Sequence, residues 1–314
     1  MRASEQYRKK RSQLFSVGAN RGSEFFKRLI LYILLIGISY LFIFPLLNMV
    51  SKSFMSPEDL TDPSITWLPT TLYLENYVKA FKTLDFVRSF LNSLVITVVS
   101  AVLQTAVSAV TAYGLARFRM RYAKALIVII LLTYMIPVET TLIPRYVLFN
   151  NYKLLDTPLS FWLTSLFGQG IKSSLFILVF YQIFSNYSVS IDEAAAIDGA
   201  GYYKIFRAIA LPIARSGIIL TFLFSFVWYW NETRQAGLYF GNTIKTLPMK
   251  LGSFAASYQT LYEASESASG VLTNINEAIT LAGTMLSILP IMIMYIALQK
   301  QFVESIEKSG ITGE

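Results

Sequence analysis

The chain has 314 residues, of which 54% are hydrophobic and only 15% are charged, and its mean hydropathy is +0.50. A soluble domain of this size lacks the polar surface needed to cover so much apolar material, so a soluble globular protein is excluded. The sequence contains no cysteine and no histidine, which excludes disulfide bonds, thiolate metal sites and histidine proton relays. The formal net charge of +8 would suit a nucleic-acid partner, but the placement of the basic residues argues against one.

The apolar residues occur in blocks of about 20, the length that a hydrocarbon core of roughly 30 Å requires. We therefore predict an all-α integral membrane protein with about six transmembrane helices. Spans one, two and six are strongly apolar, whereas spans three to five are weaker, as expected of helices that line a protein-enclosed path. The six predicted spans are residues 29–50, 90–115, 125–149, 160–184, 216–230 and 278–299.

The basic residues predict the orientation of these spans. Residues 1–28 form a tail with eight Lys or Arg and two acidic residues, and the short loop after span two contains Arg117, Arg119, Arg121 and Lys124 without an acid. The positive-inside bias places both segments in the cytoplasm, and an even number of spans then places both termini there. The tail has no aromatic stacking pattern, so we expect it to contact anionic lipid and not nucleic acid.

The loop between spans four and five carries the strongest functional signal. Ser190 and Glu193 have the spacing of a capping box that opens a short helix rich in alanine, and Gly199 ends that helix. A second helix then carries an apolar stripe at positions i, i+3, i+4 and i+7, formed by Tyr202, Ile205, Phe206 and Ile209. Such a stripe on the aqueous side is buried either by a partner protein or by the ends of the chain's own helices, and the residues leave both possibilities open.

This loop resembles the "EAA" loop of ABC importer permeases, whose pattern is EAA-x3-G-x9-I-x-L-P. Every fixed position is matched, by Glu193, Ala194, Ala195, Gly199, Ile209, Leu211 and Pro212. Asp198 and Ala200 lie in an Ile-Asp-Gly-Ala segment that resembles the sugar-importing members. The resemblance implies that these nine residues form an ATPase-coupling site. The first helix would then be a cytoplasmic coupling helix, which sits in a groove of the ATPase subunit.

Further segments extend the resemblance over most of the chain beyond the tail, at residues 74–77, 92–94, 112–118, 135–137, 230–232, 301–303 and 310–313. The chain is most similar to the smaller, six-span permease of the maltose-type, carbohydrate-uptake subfamily. The resemblance therefore implies a permease domain at residues 29–314 in a bacterial cytoplasmic membrane. It also implies four partners: a second homologous permease, a cytoplasmic ATPase dimer, an extracytoplasmic solute-binding protein and a sugar, most simply an oligosaccharide.

The expected function is transport without catalysis. No nucleophile-base pair or metal constellation is visible in the sequence, so we predict no catalytic residue, no metal and no cofactor. Gly168 and Lys172 of the glycine-containing stretch in span four lack the phosphate-loop spacing, so we expect no ATP site in this chain. The resemblance implies that ATP and Mg²⁺ are bound by the partner ATPase. Two alternatives remain: a secondary transporter driven by an ion gradient, and import of a glycerol phosphate or polyol.

Four residues are candidates for the substrate path. Glu139 is an acid within span three, and Tyr229, Trp230 and Asn231 at the end of span five could stack on and hydrogen-bond a sugar. Tyr and Trp also form interface belts, and Glu139, like Arg145 and Lys172, could lie at the outer membrane boundary. Residues 233–276 form a long outer segment rich in small and polar residues, for which a flexible loop is a sufficient explanation.

Overall fold

A computed structural model describes residues 2–118, 120–266 and 275–308, with side chains for residues 26–118, 120–262 and 275–301. Every regular element in these ranges is a helix, so the all-α prediction is confirmed for the described part of the chain. Two compact units are present, residues 1–76 and 77–314.

The helices are α1 (Arg2–Ser53), α2 (Pro57–Thr61), α3 (Glu75–Thr83), α4 (Phe86–Arg117), α5 (Ala123–Met135), α6 (Val138–Asn151), α7 (Leu159–Leu166), α8 (Ser173–Asn186), α9 (Val189–Ile197), α10 (Tyr202–Ile205), a π-helical turn (Phe206–Ala210), α11 (Leu211–Ile213), α12 (Arg215–Asn231), α13 (Arg234–Phe240), α14 (Leu247–Gly252), α15 (Phe254–Glu266) and α16 (Glu277–Lys308).

The first unit consists of α1 and the segment that follows it. α1 is one continuous helix that contains both the predicted tail and the predicted first span, and its described apolar side chains are largely exposed within the unit. The chain after α1 is held by buried polar side chains. Asp59 accepts hydrogen bonds from Ser56 and Thr70, and the Asn76 amide donates to the carbonyls of Ser53 and Met55 at 3.1 and 2.8 Å. The predicted boundary at residue 28 stays a prediction.

The second unit is built around α4, which packs against α7, α8 and α12, while α12 also packs against α16. Helices approach closely where their facing side chains are small, because backbone atoms then come within van der Waals reach. The buried face of α4 is lined by such residues: Ser93, Ser100, Ala101, Ser108, Ala109 and Ala112.

Three described helices are long and apolar enough to cross a membrane: Phe26–Ser53, Phe86–Arg117 and Glu277–Gln301. They coincide with the predicted spans one, two and six. Three further pairs of helices meet the same test but are bent at a short break, by 96° (α5 with α6), 70° (α8 with α9) and 75° (α10–α11 with α12). The described residues therefore contain up to six spans if each bent pair is counted as one, and the predicted number of six stays a prediction.

The sequence predicted spans three and four as single helices, but each is divided into two helices in the structure. Span three bends between α5 and α6, where Pro137 has no N–H to donate and Ile136 takes an extended conformation (φ −72°, ψ 120°). Span four is interrupted by residues 167–172, between α7 and α8, where Gly168 and Lys172 both adopt positive φ angles of 69° and 56°. Hydropathy does not register such breaks, because the interrupting residues are themselves mostly apolar or small.

The segment predicted to lie outside the membrane, residues 233–276, contains more helical structure in its described part than predicted. It contains α13, α14 and α15, and Leu247 and Tyr258 within it are almost completely buried. The segment is fixed to α4, since the Leu247 N–H donates to Ser93 Oγ at 2.7 Å and the Asn92 amide donates to the Lys245 carbonyl at 3.2 Å. Residues 267–274 lie outside the described part.

Candidate functional site

The predicted coupling helix is α9, and its first turn differs from the sequence-based prediction. The N-cap is Ser188, whose extended backbone (φ −63°, ψ 134°) allows Oγ to accept the Ser190 N–H at 3.3 Å. Ser190 lies inside the helix and cannot act as its cap, so the predicted capping box of Ser190 with Glu193 is wrong. The Glu193 side chain instead points to the exposed surface.

The C-terminal end of α9 is closed by Gly199, as predicted. The Ala200 N–H donates to the Ala195 carbonyl at 2.9 Å and the Gly199 N–H donates to the Ala196 carbonyl at 3.0 Å. These two bonds form a Schellman motif, which requires a left-handed residue after the helix. Gly199 has φ +81°, a conformation that glycine adopts without a steric penalty.

α9 presents a largely open surface between its two caps. Glu193, Ala194 and Asp198 are exposed, and Ala195 and Ala200 are half-buried. Ile197 is 86% exposed. Small side chains together with an open isoleucine leave the helix surface accessible to close approach by another protein.

The apolar stripe of the second helix packs mainly on the protein itself. Ile205 is buried, and the Phe206 ring lies 4.9 Å from the Tyr113 ring of α4 and 6.5 Å from the Phe184 ring of α8. The helix passes into a π-helical turn at Phe206, so the regular α-helical period of the prediction is interrupted. Of the remaining predicted coupling residues, Ile209 and Leu211 are half-buried and Pro212 is exposed.

A cluster of three side chains joins the end of α4 to the start of α9. The guanidinium carbon of Arg117 lies 3.4 Å from the ring centroid of Tyr187, and Nη2 donates to the Tyr187 carbonyl at 2.9 Å. Arg117 Nε lies 3.3 Å from Asp192 Oδ2, and the Tyr187 hydroxyl donates to the same carboxylate at 3.0 Å. The Arg117 side chain is 6% exposed and that of Asp192 is 16% exposed. We call these three residues the clamp.

The Tyr187 hydroxyl is held in its protonated form. Burial, together with the hydrogen bond to Asp192, raises the pKa of Tyr187 well above its usual range, so its hydroxyl remains a donor even in alkaline solution. Arg117 was noted in the sequence only as part of a basic loop and a family segment. The contact was not predictable, because 70 positions separate it from Tyr187.

The four candidate substrate-path residues do not share one surface. The Glu139 carboxylate forms an exposed ion pair with Arg234 at 2.6 Å, and the Asn231 amide donates to its own helix, at the Val227 carbonyl. Tyr229 and Trp230 are only 5% and 1% exposed, so neither ring is open to a solute in this structure. The substrate-path role of these residues stays a prediction.

Tyr229 instead supports the break in span four. Its hydroxyl donates to Gln104 Oε1 at 2.7 Å, pairs with Ser165 Oγ at 2.7 Å and accepts the Ile171 N–H at 3.1 Å. The Gln104 amide in turn donates to the Ile171 carbonyl at 2.6 Å. A methyl group at Gly170 would clash with both the Tyr229 hydroxyl and the Gln104 amide oxygen, so glycine is required there for space. These five residues form the buried polar network that fixes residues 167–172.

Within the residues that the structure describes, no group of three Asp or Glu side chains lies close enough to hold a metal ion. Two ion pairs have structural roles: Arg117 with Asp192 in the clamp, and Glu139 with Arg234. The site that stands out is therefore the open surface of α9 with the clamp beneath it, a geometry suited to contact with another protein.

Comparison with known proteins agrees with this geometry. Residues 104–307 match the family model described as binding-protein-dependent transport system inner membrane component. An osmoprotective compounds uptake permease protein of Synechocystis sp. is 28% identical over 74% of this chain and 79% of its own length. The lactose transport system permease protein of Rhizobium radiobacter is 27% identical over 85% of this chain and 90% of its own length.

The fold is also similar to that of a solved structure, a bacterial ABC transporter involved in the import of the acidic polysaccharide alginate. The TM-score is 0.71 at 24% identity, covering 87% of this chain and 95% of that one. The family model covers well over half of the chain and includes α9, the clamp and the network at the span-four break. The chain therefore belongs to the family of binding-protein-dependent inner-membrane transport components, the permeases of ABC importers.

Proposed function

We propose that this protein is the transmembrane permease subunit of an ATP-driven importer that moves an oligosaccharide into a bacterial cell. It works with a second homologous permease, a cytoplasmic ATPase dimer and an extracytoplasmic solute-binding protein. ATP and Mg²⁺ are bound by the ATPase, and the nine coupling residues from Glu193 to Pro212 receive its motion.

The single observation that carries this proposal is the surface of α9. A helix with both ends capped, small exposed side chains and an 86% exposed Ile197 is preorganised for a protein groove, since little entropy is lost when it docks. The clamp fixes the start of α9 to the end of α4. A displacement of α9 by the ATPase is thereby passed to a helix long enough to span the membrane.

The proposal includes a topology. α9 and the basic loop that follows α4 face the cytoplasm, both termini lie there, and the outer segment with α13 to α15 faces the binding protein. The bent pair of α8 and α9 is then a span followed by a cytoplasmic helix.

An oligosaccharide is the favoured solute because the relative from Rhizobium radiobacter is named for lactose transport. An osmoprotective solute is the second candidate, since the relative from Synechocystis sp. is named for such compounds. A glycerol phosphate or a polyol would use the same machinery.

The test is purification of the tagged protein from its host in a mild detergent, followed by identification of the co-purifying chains and reconstitution into liposomes. An ATPase, a second permease and ATP-dependent uptake of a sugar are expected. Ile197→Glu should abolish retention of the ATPase, because it places a charge in the docking surface.

Leu68→Glu is the matched control, since Leu68 is 79% exposed but lies in the segment between the first two predicted spans. This variant should retain the ATPase. Uptake that continues without ATP and stops when the proton gradient is removed would contradict the proposal, as would a protein that purifies alone.

A further inference from the structure

The break in span four exposes a positively charged side chain. Lys172 sits at the end of the break, in a left-handed conformation (φ +56°), and its side chain is exposed on the surface of the unit. The buried polar network of Gln104 and Tyr229 holds this backbone in place. Backbone strain that its surroundings maintain is typical of functional positions.

Lys172 lies within the membrane and not at its outer surface. α8 has 14 residues between Lys172 and Tyr187, so Lys172 is about 21 Å above the cytoplasmic end of that helix. With the cytoplasmic end of α8 placed at the inner boundary of a hydrocarbon core about 30 Å thick, Lys172 lies several ångströms inside the outer boundary, and any tilt of the helix brings it deeper. This depth presupposes the proposed topology.

Two aromatic rings from other helices flank the ammonium group. Lys172 Nζ lies 5.5 Å from the ring centroid of Tyr134 on α5 and 5.5 Å from that of Trp228 on α12. By the same rise per residue, Tyr134 is about 15 Å from Lys124 and Trp228 is about 20 Å from Arg215. All three side chains therefore lie in the middle or outer part of the hydrocarbon layer.

The rings are held in place and remain accessible. Trp228 is backed by Phe176 and Phe224, with ring centroids 5.3 and 5.7 Å away, and Tyr134 is 46% exposed. Beside them, Thr133 and Ser174 share a hydrogen bond of 2.9 Å between α5 and α8, which adds two hydroxyl groups to the same surface.

An ammonium group at this depth is too costly to face lipid, so it faces water or protein. Within the part of the chain that the structure describes, no carboxylate pairs with Lys172. An irregular backbone at membrane depth is likewise tolerated only in a protein interior or beside a water-filled path. Both conditions are met if the surface formed by Tyr134, Lys172 and Trp228 faces the path between this chain and its partner.

We propose that Tyr134, Lys172 and Trp228 form a sugar subsite in the translocation path, which receives one pyranose unit of the transported oligosaccharide. The apolar face of the sugar ring stacks on the aromatic rings, and its hydroxyl groups accept from the ammonium and exchange hydrogen bonds with Thr133 and Ser174. This subsite rests on the proposed function. It uses Trp228 in place of the buried Tyr229 and Trp230 of the sequence-based prediction.

The test uses the complete importer in liposomes. Lactose and maltotriose are the probes, and uptake is measured with the one that the binding protein binds. Tyr134→Leu removes an exposed ring, and Lys172→Met removes the charge while keeping the side chain's length. Each should lower the uptake rate by about tenfold, a typical effect of losing one stacking or charged contact, while the complex stays assembled and binding protein still stimulates the ATPase.

The control is Tyr295→Leu. Tyr295 is 52% exposed on α16, so its replacement removes a similar ring at another place. This variant should transport within about twofold of the unchanged protein. Equal uptake by Tyr134→Leu and Tyr295→Leu would overturn the subsite, as would separation of the two permeases by Lys172→Met, which would mean that a partner carboxylate pairs with Lys172. Absence of ATP-dependent uptake by the unchanged importer would instead reject the proposed function.

Discussion

Two glycines near the end of α9 differ in what they require of the backbone. A methyl group added at Gly199 or at Gly201 would meet no atom within 4 Å, so neither glycine is needed for space. Gly199 has φ +81° whereas Gly201 has φ −72°, a value that any residue adopts. Only position 199 therefore has a backbone conformation that requires glycine, and the Schellman motif depends on that conformation.

Gly199→Ala is expected to destabilise the C-terminal end of α9 by about 1 kcal/mol, because a Cβ atom is disfavoured in the left-handed region. Since 1 kcal/mol corresponds to a factor of about five in an equilibrium constant, the dissociation constant for the ATPase should rise by up to about fivefold, and less ATPase should be retained after purification. Gly201→Ala is the matched control and should retain the ATPase fully. Equal retention by the two variants would show that the left-handed turn is not needed for docking.

The residue pattern of the coupling loop was predictable because it is local. Gly199 and the small surface of α9 follow from adjacent positions in the sequence, and both are confirmed. The predicted cap failed by two residues, since Ser188, Ser190 and the acidic residues after them offer several similar starts. Choosing among these starts depends on where α8 ends.

At the level of elements, the clamp determines how α4 and α9 move together. Arg117 stacks on Tyr187 and contacts Asp192 at the same time, which requires a planar group with several donors. Lysine has a single charged nitrogen and cannot make these contacts together. The clamp is buried enough that the loss of one contact is not fully compensated by water.

Arg117→Lys is therefore expected to keep the charge and the membrane topology but to loosen α9 by about 1–2 kcal/mol. In liposomes, the variant importer should hydrolyse ATP but move fewer sugar molecules per ATP. Arg121→Lys is the control, because Arg121 is exposed and lies 5.7 Å from the neighbouring Tyr122 ring. A normal ratio of sugar to ATP for Arg117→Lys would exclude a role of the clamp in coupling.

The break in span four shows why some elements could not be predicted. Its bonds join residues far apart in sequence: 125 positions separate Gln104 from Tyr229, and 67 separate Gln104 from Ile171. A hydropathy pattern contains no such pairing, so residues 160–184 were predicted as one helix. Pro137 gave a local signal for the bend in span three, but its 96° angle depends on the packing of α5 and α6.

At the scale of the whole molecule, composition was enough for the membrane class. Blocks of apolar residues were enough for three long apolar helices, because each such helix is a property of one continuous segment. The other three spans contain bends, and the sequence does not determine whether both arms of a bent pair lie in the membrane. The pair of α8 and α9 is the decisive case, since the proposed function requires α8 in the membrane and α9 in the cytoplasm.

The absence of cysteine in the chain makes this topology measurable. Ser190→Cys on α9 and Asn242→Cys after α13 each introduce one exposed thiol. A membrane-impermeant maleimide should label Asn242→Cys in intact spheroplasts, and Ser190→Cys only after permeabilisation, in cells that lack the ATPase. The unchanged protein should remain unlabelled throughout. Labelling of Ser190→Cys in intact spheroplasts would show that the protein has the opposite orientation in the membrane. If Ser190→Cys stays unlabelled even after permeabilisation, α9 is buried in the bilayer as the second arm of a bent span, and it cannot then dock on a cytoplasmic ATPase.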